Sequence, residues 1–436
     1  MLTSNTPMAS PPHVGRTVVL LLAWSLGLVT GVMAQSAPTS PPEDTTQVAV
    51  PDSLPNRATA VAGSQVTTFG ADQSTYRPYR QEPSVYLSAP ALRFNRVEGA
   101  VVGLQRDPLS WTGDLPVAPF GQVSYALGLR TWRAVLGAEV RLVQPPAQER
   151  GYGLKVGAHV AHTTATEDDW KRSWEENSVS ALLFGQDLFN YYDLRGVTAY
   201  IAQRFSPQLQ VTVGGRWAEH DGLSRTTTWA LLDDRTPPPN PPVDAGEVRT
   251  VLVTVEGGRL TRRSERRSVG TIARFHAEIG QGFGAPLAYN RFLLDVQSYQ
   301  AVHPSVNLNL RGRAGITTHE APVQMQFRLD GVRGLRTFEP SVRAEERMLL
   351  GSTTWVWHDV PIAEWMGRAQ LQAFGDVGWT GDDAPPDGET FAFAGVGASL
   401  FDGLLSVELA WPLHATPDRT HPNGRPQVTL KVNPLR

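Results

Sequence analysis

The chain contains no cysteine, which excludes disulfides, thiol catalysis and cysteine-ligated metal. One common means of stiffening an exported protein is thereby missing. An excess of charge of one sign is missing too. The formal net charge is −3, so there is no cationic footprint for nucleic acid, and none is expected as a partner. After the N-terminal region, no uninterrupted apolar stretch approaches the roughly 18 residues that a spanning helix needs. Catalytic signatures are absent as well: there is no Gly-x-Ser-x-Gly, no His-Glu-x-x-His and no phosphate-binding glycine loop. The 10 histidines are scattered; His276 sits between Arg274 and Glu278 and suits a charge network better than a catalytic base. No enzyme activity, metal or cofactor is expected.

What is present begins with an export signal. Arg16 precedes an apolar run from Val18 to Val32, and Val32-Met33-Ala34 supplies small or apolar residues for cleavage after Ala34. Residues 1–34 therefore read as a cleaved signal peptide. Residues 35–88 read as a Pro-rich, disordered periplasmic linker. Residues 89–436 are strand-rich, with 40 glycines in the whole chain.

Period-two alternation dominates this last region. In 306–316, Val306, Leu308, Leu310, Ala314 and Ile316 share one face, and Asn307, Asn309, Arg311 and Arg313 the other. In 369–377, Leu371, Ala373 and Val377 oppose Gln370, Gln372, Phe374 and Asp376. Such strands are half-buried. A soluble sandwich and a membrane barrel share this pattern. Strand length and loop asymmetry favour the barrel. Sixteen strands are expected, near 91–104, 118–130, 132–144, 151–164, 177–186, 195–205, 207–219, 248–260, 268–281, 287–300, 304–317, 345–358, 367–378, 389–400, 403–412 and 425–434. With the N-terminus in the periplasm, the short turns at 130–132, 206–207, 301–303 and 401–403 fall on the periplasmic side, and the long loops at 105–117, 220–247, 318–344, 379–388 and 413–424 fall outside. The segment Glu167–Glu176 reads as a short periplasmic helix. Trp132, Trp217, Trp365, Trp379 and Trp411 fall near strand ends, as in an aromatic girdle.

Gly331-Val332-Arg333-Gly334 lies in the long loop after the eleventh expected strand, and Phe374-Gly375-Asp376-Val377-Gly378 lies on the thirteenth. Together these stretches resemble the Val/Ile-Arg-Gly loop and the Phe-x-Asp-x-Gly strand of the BamA/TamA-type (bacterial surface antigen) outer-membrane barrels. The resemblance implies an all-β, transmembrane antiparallel barrel in the Gram-negative outer membrane, whose loop after strand 11 folds inward. It also implies a latch in which Arg333 pairs with Asp376 in the lumen, with Val332, Gly334 and Phe374 around it. Alternation independently points Asp376 inward. An Arg–carboxylate pair can be bidentate, so it fixes orientation as well as adding energy.

The resemblance further implies insertion or translocation of outer-membrane protein or lipid. The expected partners are outer-membrane lipids and a separate periplasmic protein, either POTRA-bearing or a chaperone, because residues 35–88 are too few for a POTRA domain. Departures from the family are Leu335 in place of an aromatic, Trp355-Val356-Trp357 where the family has Glu-x-Arg, and a non-aromatic ending, Leu435-Arg436. The alternative is a passive or plugged pore with no assembly role.

Overall fold

Strand Tyr192–Ser206 shows why these residues form a two-faced sheet. Thr198, Tyr200 and Ala202 are buried, while Val197, Ile201 and Phe205 are 40%, 52% and 48% exposed. β-branched and aromatic residues at alternate positions fit a pleated surface with one covered face. The computed structural model describes residues 90–106, 117–143, 152–232, 236–264, 267–318, 320–329, 344–363, 367–383, 385, 387–400, 405–414 and 426–432. The signal peptide and linker expected at 1–34 and 35–88 lie outside them.

Sixteen strands form one antiparallel sheet in chain order. They are β1 (Arg93–Asn95), β2 (Gly99–Arg106), β3 (Val117–Ala126), β4 (Thr131–Val143), β5 (Gly153–Ala165), β6 (Tyr192–Ser206), β7 (Leu209–Gly222) and β8 (Gly246–Ser264). The second half comprises β9 (Arg267–Ile279), β10 (Asn290–His303), β11 (Val306–Thr317), β12 (Arg347–Ala363), β13 (Gly367–Gly381), β14 (Glu389–Leu400), β15 (Leu405–His414) and β16 (Gln427–Val432). The single described helix, α1 (Trp174–Phe184), lies between β5 and β6. It contacts both edge strands, β1 and β16, so the sheet rolls until its two edges meet one helix. Among the described residues no ladder joins β1 to β16.

The count of sixteen agrees with the sequence, but two members differ. The strand expected at 177–186 is helix. Ser173 caps it, accepting from the Glu176 amide while Glu176 reaches back to the Ser173 amide, and Gly185, at φ 67°, ends it. This capping box satisfies amides that a helix start otherwise leaves open, and the left-handed stop suits glycine. The strand expected at 91–104 is two strands. Asn95 Oδ1 accepts from the amides of Val97 and Glu98, and Gly99 adopts φ 68°. The chain therefore turns at 96–98, and Arg96 and Glu98 are turn residues rather than strand neighbours.

These two changes reverse the first strands. The turn at Arg130 and the α1 segment lie at the same end as the long connections 223–245 and 318–346, because β3, β5 and β7 all end there. The expected periplasmic placement of Arg130-Thr131-Trp132 and of Glu167–Glu176, and the expected extracellular placement of 105–117, are corrected accordingly. Connections 107–116 and 144–152 join the opposite end, with the tight turns after β6 and β10.

The outward face is apolar. Val102, Leu136, Val160, Val213 and Val396 are each about half exposed. Of the expected girdle, Trp132, Trp217 and Trp411 are exposed. Trp379 is buried instead, with Gly381 and Gly388 against its indole. The Trp365 side chain lies outside the described residues.

Candidate functional site

The site is the lumen, filled from the long-connection end by three segments: 166–191, 223–245 and 320–329. Segment 166–191 descends from β5 as an acidic run. Glu167 accepts from Arg291 Nη1 at 2.7 Å and from the Tyr192 hydroxyl at 3.0 Å. Arg291 is an inward residue of β10 and is 2% exposed. It also lies 3.7 Å from Glu278 of β9, which accepts from Tyr289 at 2.6 Å and contacts His276 at 3.2 Å. Arg216 of β7 stands 3.9 Å from the same carboxylate. His276 is thus a member of this network, its other nitrogen 2.9 Å from Thr254.

One turn further along, Trp170 presents its ring to two wall arginines, Arg313 at 4.4 Å and Arg311 at 5.4 Å. Both arginines donate to Asp295. The single carboxylate offsets one of the two charges and leaves both guanidinium faces for the indole, a geometry worth about 0.5–2 kcal/mol per cation. Beside Trp170, Leu293, Phe327, Leu329, Met348, Leu350, Phe391 and Phe393 pack with it into a buried apolar cluster.

The acidic pair at the centre of the segment splits. Burial would raise the Asp168 carboxyl, but Lys171, Arg328 and the Asn190 amide hold it below the usual range. Asp169 is pushed up to about 7 by burial, then by the charges of Glu167 and Asp168, with Arg313 and Arg291 only partly opposing. Two neighbouring carboxyls in different surroundings thus take different charge states.

The segment is also pinned to the first strand. Arg96 donates its amide to Asp187 Oδ2 at 2.9 Å and its guanidinium to the Asp187 carbonyl at 2.7 Å. Asn177 and Tyr191 both donate to Asp187 Oδ1. Arg93 and Glu98 form a buried ion pair at 2.7 Å, and Arg93 lies 5.8 Å from the Trp174 ring. Segment 223–245 locks the other two. Asn240 bonds the backbone of Tyr191 in both directions, and Asp244 accepts from the Val323 amide.

Of the residues in the expected latch, Asp376 and Phe374 are among the described residues. Asp376 is 1% exposed and accepts from Ser352, and Phe374 is 5% exposed on the same face. The descending arm of the connection after β11 goes inward: Met325, Phe327 and Leu329 are buried, and Phe327 ladders to Glu345. Val332, Arg333 and Gly334 lie outside the described residues. Sequence reasoning placed a short helix in this segment too early, at Glu167–Glu176 instead of Trp174–Phe184, and missed its lumen contacts. Its signal was Ser173-x-x-Glu176 followed by Gly185, a helix with both ends marked.

No family model matches the chain, and no curated protein does. Solved structures similar to it include the following two. The crystal structure of BamA from Haemophilus ducreyi lacking POTRA domains 1-3 aligns at 12% identity with a TM-score of 0.41, covering 76% of this chain and 68% of that one. CdiB from Escherichia coli aligns at 12% identity with a TM-score of 0.38, covering 76% of this chain and 67% of that one. The similarity is one of fold.

Proposed function

We propose that the chain is an outer-membrane barrel of the BamA/TamA type that moves protein or lipid along its seam rather than solute through its bore. The observation that carries this reading is the contrast between lumen and edges. The lumen is filled by interlocked segments and a buried apolar cluster. The edges β1 and β16, by contrast, share no ladder among the described residues and are spanned by a single helix. Substrate passing through the bore would have to displace buried ion pairs. Substrate at the seam need only displace a helix contact. Unpaired strand edges also offer backbone donors and acceptors to an incoming strand.

Signal-peptide export, the Arg333–Asp376 latch, outer-membrane lipids as surroundings and a separate periplasmic partner belong to the same proposal. The test is a depletion strain. Loss of particular outer-membrane proteins or lipids on depletion is expected. An unchanged outer membrane, together with steady ion conductance of the purified protein in planar bilayers, would establish the passive pore instead.

A further inference from the structure

The connection 223–245 does more than cap the lumen. At the rim, Thr226 and Thr227 donate their amides to the Arg96 carbonyl at 2.9 and 3.0 Å, and the Thr226 hydroxyl donates to the Val97 carbonyl. The chain thus crosses the rim at the turn between β1 and β2. Immediately beyond, Trp229 packs on Phe94 with ring centroids 5.4 Å apart.

Phe94, itself 7% exposed beneath this ring, belongs by register to the outward side of the sheet. It pairs with Ala100, and Val102 and Leu104, on the same side of β2, are 57% and 84% exposed. Two residues later the backbone is clamped: the amides of Leu231 and Leu232 donate to the carbonyls of Leu182 and Leu183 at 2.9 and 2.8 Å. Those carbonyls belong to the last turn of α1, which has no partners for them within the helix. Held in this way, Trp229, Leu231 and Leu232 are 51%, 59% and 69% exposed, beside the helix that touches both edges of the seam.

We propose that Trp229, Leu231 and Leu232 form a lipid-contacting wedge at the seam, with the acyl chains of the membrane as their occupant. The argument is continuity: the patch extends the apolar outward face of β1 and β2 past the rim. In water three such side chains side by side would be an association liability. At the boundary of a bilayer a tryptophan beside two leucines is the favoured composition. The inference rests on the membrane reading above.

The natural absence of cysteine makes the test direct. Single variants Leu231→Cys and Leu232→Cys, each carrying a nitroxide, are compared in phosphatidylcholine proteoliposomes with Val102→Cys as the wall control and Ser224→Cys as the rim control. Collision rates with oxygen and with a water-soluble nickel chelate are measured. The expected result is an oxygen-to-nickel ratio at 231 and 232 several-fold above that at 224 and close to that at 102. Nickel access at 231 and 232 equal to that at 224, with 102 still lipid-exposed, overturns the wedge alone. Dipolar broadening between labels on two copies also overturns it, because the occupant is then a second copy. Nickel access at 102 as well overturns the membrane reading, and the wedge with it.

Discussion

Arg291 donates to Glu167 across 2.7 Å, and this contact ties a wall strand to a segment that enters the lumen between β5 and β6. Arg291 is almost fully buried, so removing either partner strands a charge. Arg291→Ala should weaken docking of the segment by about 3–5 kcal/mol, and Glu167→Gln by less, since the amide still accepts. The check is conductance in planar bilayers. Wild type should conduct poorly, and Arg291→Ala should show frequent openings. A closed Arg291→Ala channel would mean that the apolar cluster around Trp170 holds the segment without the ion pair.

Helix α1 depends on its two ends. Ser173→Ala should cost about 1 kcal/mol. Gly185→Ala should cost roughly 1–2 kcal/mol, because the left-handed backbone there crowds a Cβ. Limited proteolysis within 174–190 should accelerate in both variants, while cleavage elsewhere stays unchanged. Uniform acceleration would mean that the helix and the sheet unfold together.

Docking of segment 166–191 should weaken with rising pH. The Asp169 carboxyl is raised to about 7 by burial and by its acidic neighbours, above its free value near 4. Between those two values the docked state keeps a proton that the released state loses. Docking is therefore favoured below that window and progressively disfavoured as pH rises through 7. Conductance should increase from pH 5 to pH 8 in wild type, and Asp169→Asn should flatten the profile. A wild-type profile already flat would show that the proton is not held.

The Arg333–Asp376 latch is testable by a double-mutant cycle. Asp376→Ala and Arg333→Ala should each raise conductance, and the double variant should add little to either. Additive effects would mean that the two residues act on different partners.

The sheet was largely legible in the sequence. Alternation placed Arg313 inward and Ile316 outward on β11, and Asp376 inward on β13, because one face of each strand is exposed and the other meets the lumen. The number sixteen survived for a reason that reading did not contain: one expected strand became α1, and the first expected strand divided at Asn95. The helix is expected too early, at Glu167–Glu176, because Ala181-Leu182-Leu183-Phe184 is an apolar run short enough to suit a strand. Only its caps distinguish it, and a strand there kept the loops in register. The lumen contacts were less legible still. Trp170 and Arg313 are far apart in the chain, and nothing local to either names the other. The Trp379 environment fails for a similar reason: its cover comes from a turn whose shape the glycines at 381 and 388 set.

Helix α1 also bears on the two ends of the sheet. It lies between β5 and β6 in the chain, yet it touches the first strand and the last. An edge strand is a template for pairing with another chain. Here the molecule sets one helix of its own against both templates.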